Sequence, residues 1–250
     1  MKLHAKKCHL FQQRVDVLGH ALTESEIQVQ PEKVRDVQSW PIPRSLTEAR
    51  AFVGLCSYYR RFIQGFADLA ALLHALTRRN ARLEWGRDQQ EAFTKLKEKL
   101  ASAPILGMPH DQGTYYLDTD ASDGGLGVVL SQDQFGREIV LAYASTTLSR
   151  SEKNYDVARR ELLAVVYGLK CYKQYLLGRQ FIIRTDHSAL QSLRRTPEPI
   201  GQQTHWQTFI EQFSCTIMHR PGTRHRNADA LSRRPDSEEE SEMAETMVKI

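Results

Sequence analysis

The sequence predicts a mixed α/β protein: a sheet of about five strands with flanking helices, preceded by a mainly helical region. Three observations predict it. TYYLDTDA, GLGVVLSQ and EIVLAYASTTL are β-rich runs separated by the turn signals SDGG and DQFGRE, which reads as a meander. KNYDVARRELLAVVYGLKCYKQYLLG follows with Leu162, Val165, Leu169, Tyr172 and Leu176 at helical spacing, ended by Gly178. Beyond it, FIIRTD and SCTIMHR read as two further strands, with the short helical segments SALQSLRR, THWQTFIEQF and NADALSR around them.

The region before the meander has a different grammar. KCHLFQQRVDVLGHALTESEIQVQ alternates apolar residues around a Gly-His turn, as a small hairpin or strand pair would. From Pro31 the pattern is helical. Val34 and Val37 sit three apart in PEKVRDVQSW, and PIPR breaks the chain before SLTEARAFVGLCSYYRRFIQGFADLAALLHALT. There Ala51, Phe52, Leu55, Tyr58, Tyr59 and Phe62 follow helical spacing, so most of them belong to a core. Ala92, Phe93, Leu96 and Leu100 form the inward stripe of a helix in DQQEAFTKLKEKLASAP. The boundaries that follow are 1–30, strand-like; 31–103, helical; 104–235, the mixed sheet; and 236–250, an acidic tail.

Composition narrows the class. At 250 residues the chain can bury a real core, and 41% hydrophobic with 26% charged residues is ordinary for a soluble protein. The amino terminus, MKLHAKKCHLF, lacks the apolar stretch of a secretory signal and no apolar run spans a bilayer, so the expected setting is intracellular, cytoplasmic or nuclear, with no membrane partner. Four widely spaced cysteines without a CxxC pair argue against a disulfide framework and a zinc cluster. The net charge of +4 conceals an asymmetry. Residues 235–250 carry six acids and one Lys, a net of −5, which leaves 33 basic against 24 acidic groups, or +9, in residues 1–234. A basic body favours polyanions such as nucleic acid, although a solvated Lys/Arg surface has the same composition.

Four acids stand where chemistry would need them: Asp120 in YYLDTDASDGG, Glu161 in RRELLAVV, Asp186 in FIIRTDHSAL and Asp229 in RNADALSR. Carboxylates gathered from separate elements repel one another and resist desolvation unless cations neutralise them, so a cluster of this kind implies divalent metals. Each has a plainer reading. Glu161 borders its helix's apolar stripe and suits a solvated flank or a pair with nearby Arg; Asp186 suits a helix cap and Asp229 a helix-dipole acid. Asp120 lies among β-formers, a poor place for an unpaired acid, and alternation puts Asp118 on the same strand face.

KVRDVQSWPIP, ARAFVGLCSYYRRFIQGFA, LEWGRDQQEAFTKLKEKLASAPIL, LDTDASDGGLGVVLSQ, NYDVARRELLAVV, YLLGRQFIIRTDHSAL and HRPGTRHRNADALSRRP, in this order, closely resemble the Pol polyprotein of gypsy-type LTR retrotransposons. The resemblance covers roughly residues 5–235, from the end of the reverse transcriptase palm through thumb and connection to the RNase H domain. It implies a ribonuclease H-like fold for 104–235, a remnant of palm for 1–30 and a thumb/connection region for 31–103. It further implies Asp120, Glu161, Asp186 and Asp229 as ligands of two magnesium ions, with manganese as a substitute, and an RNA/DNA hybrid as substrate. Hard cations suit carboxylate oxygens, and two such ions serve hydrolysis of an RNA phosphodiester. His225 is then a candidate for assisting product release, and His187 and Ser122 for substrate contact, Ser122 at the RNA 2′-hydroxyl. Tyr58, Tyr59, Arg60 and Arg61 become candidate template-primer contacts of the thumb, against a reading as core aromatics beside surface arginines. His205 stands where relatives place an Arg before Trp206, which weakens a backbone contact. No YxDD polymerase turn occurs, so polymerisation is not expected of this chain alone. Two other readings stay open: a catalytically decayed nucleic-acid-binding module, and the C-terminal part of a polymerase that needs palm and fingers from another chain. A D-D-E integrase is disfavoured because the Glu comes second in the order.

Overall fold

The structure, a computed structural model, describes residues 11–78, 81–186 and 202–220. The N-terminal segment forms β1 (Val15–Val17), β2 (His20–Leu22) and β3 (Glu26–Val29), turning at Gly19, whose φ of 79° suits a residue without Cβ. They form an antiparallel sheet in the order β1-β2-β3-β4, completed by β4 (Leu106–Gly107) from the far end of the helical region. The strand pair expected from the sequence is therefore part of a larger sheet, closed by a strand whose two residues are too few to show a period.

Four helices stand between β3 and β4. Pro31 opens α1 (Pro31–Gln38), where its missing N–H costs nothing. Ser45 caps α2 (Leu46–Tyr58) by accepting the Glu48 N–H at 3.2 Å. The helical stretch expected through Leu76 is broken after Tyr58: a 3₁₀ turn at Arg60–Phe62 and Gly65, with φ at 66°, lead into α3 (Phe66–Leu76). Gly65 has no side chain to cap α3, and the Ala67 N–H is instead satisfied by Ser145 Oγ at 2.8 Å. Of the six residues at helical spacing in this stretch, Phe52, Tyr59 and Phe62 are buried, whereas Ala51 and Tyr58 are exposed. In α4 (Arg87–Ala101) the stripe Ala92, Phe93, Leu96 and Leu100 is buried as its spacing predicts. Phe52 and Phe93 meet with ring centroids 4.5 Å apart at the middle of this core.

The second sheet is the predicted mixed one. Its strands are β5 (Tyr115–Ala121), β6 (Gly125–Gln134), β7 (Arg137–Thr147), β8 (Phe181–Thr185) and β9 (Cys215–His219), in the order β7-β6-β5-β8-β9. β5, β6 and β7 pair antiparallel; β8 runs parallel to both β5 and β9. The predicted long helix divides. α5 (Val157–Cys171) ends at Tyr172, a short α6 (Lys173–Leu176) follows, and Gly178, with φ at 79°, stops the run. α5 packs tightly on the sheet: a Cβ on Gly168 would fall 2.9 Å from Val128 and 3.3 Å from Leu117. Leu162, Val165, Leu169 and Tyr172 fill this core with Leu117, Leu130 and Ile183, and Trp206 and Ile210 of α7 (Gln202–Glu211) join them. Across the sheet, Tyr143 is buried in the helical region's core, with Val129 and Val140 against it. The N-terminal elements and the five-stranded sheet thus lie within one compact unit ending at His219.

Among the described residues Cys56, Cys171 and Cys215 are free thiols, and no helix is long and apolar enough to cross a membrane.

Candidate metal centre

Asp120 is the next-to-last residue of β5, Asp186 follows directly after the neighbouring β8, and Glu161 lies on α5, which covers one face of these strands. Asp156 caps α5 by accepting the Arg159 N–H at 2.8 Å, which fixes where the helix starts and so the phase at which Glu161 points. Because β5 and β8 are adjacent and parallel, their C-terminal ends carry Asp120 and Asp186 to the same end of the sheet. One carboxylate oxygen from each of Asp120, Glu161 and Asp186 lies within 4.8 Å of the others.

The three differ in environment. Asp120 and Asp186 are exposed, whereas Glu161 is 3% exposed. Glu161 Oε1 accepts the Ala121 N–H at 3.3 Å, and its buried Oε2 has no hydrogen-bond partner among the described residues. A buried carboxylate oxygen left without a donor is costly to keep charged. Burial first, then the charges of Asp186 and Asp120, push the Glu161 carboxyl up to about 7. An all-carboxylate donor set around an orphaned buried oxygen fits a hard divalent cation such as magnesium or manganese.

This has a consequence for the metal-free protein. A carboxyl held near 7 in the folded state and 4.5 in its ordinary state favours the fold while it is protonated. Its stabilising contribution is therefore complete below about pH 4.5 and is lost as pH rises through about 7, on the order of 3 kcal/mol if the whole shift is realised. Urea denaturation in EDTA should show Glu161→Gln more stable than the parent chain at pH 8 and equal to it near pH 4. Added magnesium should stabilise only the parent.

The neighbouring acids are occupied by cations. Asp118 is held by Arg184, with Nε at 2.7 Å from Oδ1, and the same guanidinium binds Glu138 across the sheet and lies 4.4 Å from the centroid of the Tyr116 ring. Asp123, in the turn after β5, pairs with Arg160. Asp120 has no ion pair among the described residues. Alternation predicts Asp118 on the strand face of Asp120; register places Asp118 opposite Arg184. Arg160 was not legible as a site residue: Arg159 and Arg160 are adjacent, and only the helix phase sends Arg160 to Asp123 and the Ser122 carbonyl while Arg159 stacks 3.8 Å over Tyr155.

The other expected residues divide. Ser122 Oγ accepts the Gly124 and Gly125 N–H groups at 3.3 and 3.0 Å and donates to the Gly125 carbonyl, so it closes the β5–β6 turn. Tyr59 is 2% exposed with its hydroxyl on the Gly19 carbonyl, and Arg61, half-buried, donates to the Leu141 carbonyl of β7. Tyr58 and Arg60 are the exposed members of that quartet, Tyr58 stacking on His20 and donating to the Leu18 carbonyl at 2.6 Å. His205 is exposed on α7. His187, His225 and Asp229 lie outside the described residues.

Residues 85–183 match the model of the RNase H-like domain found in reverse transcriptase. Over 234 residues the chain is 38% identical to the retrovirus-related Pol polyprotein from transposon 297 of Drosophila melanogaster, an alignment covering 93% of this chain and 22% of that protein. The chain is homologous to retrotransposon Pol polyproteins. The Pol polyprotein from transposon gypsy of the same fly is 34% identical over 246 residues, covering 93% of this chain and 23% of its own length. The transposon Tf2-3 polyprotein of Schizosaccharomyces pombe is 32% identical over 242 residues, covering 95% and 18%. This Pol-related chain thus spans about a fifth to a quarter of the length of these relatives. Its fold matches a foamy viral protease-reverse transcriptase in complex with RNA/DNA hybrid, with a TM-score of 0.74 at 19% identity over 87% of this chain and 30% of that one. A second structure of that enzyme, in complex with dsDNA, gives 0.73 at 20% identity over 87% and 47%. The five-stranded sheet with its flanking helices is of the RNase H type, as the motifs implied.

Proposed function

We propose that this Pol-related chain carries an RNase H-type endonuclease that hydrolyses the RNA strand of RNA/DNA hybrids, using two magnesium ions held by Asp120, Glu161 and Asp186, with Asp229 as fourth acid. The observation that carries the reading is the convergence of the Asp120 and Asp186 carboxylates on a buried Glu161 whose Oε2 has no described partner, in a chain homologous to Pol. On this reading residues 104–235 are the nuclease, 1–30 the end of the polymerase palm, 31–103 thumb and connection, and 236–250 an acidic tail; palm and fingers of the same polyprotein are partners.

Bound magnesium would supply an activated water and charge stabilisation for the leaving 3′-oxygen. The chain's own part is placement. The Ala121 N–H orients Glu161 through Oε1 and leaves Oε2 for an ion. Arg160 holds the turn after Asp120 and neutralises Asp123, and Arg184 does the same for Asp118, so neither competes with Asp120 for metal. Tyr58 and Arg60, exposed on the helical region, are proposed contacts to the hybrid; Ser122 holds the turn beside it.

The test is incubation of the purified chain with a hybrid labelled in its RNA strand, with magnesium or manganese. RNA fragments with 5′-phosphates and 3′-hydroxyls should appear while the DNA strand stays intact. Absence of metal-dependent cleavage sinks the nuclease reading. Tight binding without cleavage, weakening steeply with salt as counterion release requires, would make the chain a nucleic-acid-binding module instead.

A further inference from the structure

His219 is the last residue of β9, the strand that leads into the segment carrying Asp229. β8 and β9 run parallel with Thr185 opposite His219, and β8 ends at Thr185. The strand pairing that orders β8 therefore stops one residue short of Asp186, the exposed acid of the metal centre. At that point a side chain takes over from the ladder: His219 Nε2 lies 2.9 Å from the Asp186 carbonyl oxygen. A carbonyl only accepts, so Nε2 carries the proton of this bond.

We propose that His219 is a positioning residue of the metal centre, its Nε2–H holding the Asp186 peptide so that the carboxylate stays within reach of Asp120 and Glu161. The inference rests on reading the three acids as a metal site. Without the bond, Asp186 is an exposed residue past the end of its strand, with its backbone torsions free to carry the carboxylate away from the other two. An ion that depends on three ligands from separate elements loses affinity when one of them is no longer held in place, and partners that orient ligands typically contribute 10–100-fold to metal affinity. His219 acts through Asp186 and makes no contact of its own with the ion.

The experiment is a manganese titration of the whole chain, following the paramagnetic resonance signal of free Mn²⁺, which reads binding without any turnover. His219→Ala should weaken manganese binding by about tenfold. His219→Gln, whose side-chain amide can donate to the same carbonyl, should restore it to within about threefold of the parent. In hybrid cleavage the Ala variant should need more magnesium for half-maximal rate while the KM for hybrid is unchanged. Parental manganese binding by His219→Ala, or equal weakening by Ala and Gln, overturns the proposal. Asp186→Asn separates the two levels of the argument. If it also binds manganese like the parent, the metal-centre reading falls and the inference with it; if it binds weakly while His219→Ala does not, only the role of His219 is lost.

Discussion

Asp120→Asn should lower metal-dependent cleavage of an RNA/DNA hybrid by about a thousandfold or more while leaving the chain folded. The substitution keeps the shape of the side chain and removes one charge from a three-carboxylate cluster within 4.8 Å. Charge stabilisation by bound metal contributes several kcal/mol to a phosphodiester transition state, and about 4 kcal/mol corresponds to a thousandfold in rate. The fold should not suffer, since Asp120 is exposed and has no ion pair among the described residues. Its loss removes one of the charges that push Glu161 up, so the metal-free variant should be slightly more stable than the parent at neutral pH. Single-turnover cleavage at saturating magnesium, beside thermal denaturation in EDTA, checks both halves. A variant that is inactive and unfolded would show a structural role for Asp120, and one that cleaves at the parental rate would remove it from the site.

Arg184→Met should destabilise the chain by about 3 kcal/mol, near the lower end of the cost of breaking a buried ion pair. The Arg184 side chain is 10% exposed and that of Asp118 15%, so their charges face each other with little water between them. Glu138, at 32%, is better solvated, which keeps the expected figure from the upper end of the range. Met preserves the length and apolar body of the side chain over the Tyr116 ring, so the loss reports the missing guanidinium rather than a cavity. The combined variant Asp118→Leu, Arg184→Met, Glu138→Leu should recover much of the stability, because buried charges replaced together by apolar groups leave nothing uncompensated. Equilibrium urea unfolding of the two variants against the parent decides the matter. If the single change costs under about 1 kcal/mol, the cluster behaves as a surface ion pair and contributes little to the sheet.

How far the sequence could be read depended on how local the cause was. The stripes of α4 and α5 were legible because a 3.6-residue period writes burial directly into residue order, and Ala92, Phe93, Leu96, Leu162, Val165 and Leu169 are all buried as their spacing predicts. The break between α2 and α3 was not, because the apolar spacing runs on through Phe62 while the chain turns at Gly65 and completes the next helix's hydrogen bonding with Ser145 of a distant strand. β4 was missed for a related reason: its pairing partner is β3, most of a domain away in sequence. The Tyr58–Arg61 quartet shows the limit of composition. The same aromatic and basic residues suit a nucleic-acid surface or a core, and packing assigns Tyr59 and Arg61 to internal contacts while leaving Tyr58 and Arg60 outward.

By itself the sequence determined the kind of protein: the alternation and helical periods that make a mixed sheet, the order Asp, Glu, Asp, Asp, and the motifs that place it beside retrotransposon Pol. The resemblance already singled out Asp120 among the acids of YYLDTDASD; only the tertiary structure gives the physical reason that its two neighbours are otherwise engaged. Asp118 is taken by Arg184 and Asp123 by Arg160, and both pairings arise from strand register and helix phase, which are properties of neighbours in space. A carboxylate's charge is written in the chain. Whether a cation already neutralises it depends on what the fold brings alongside.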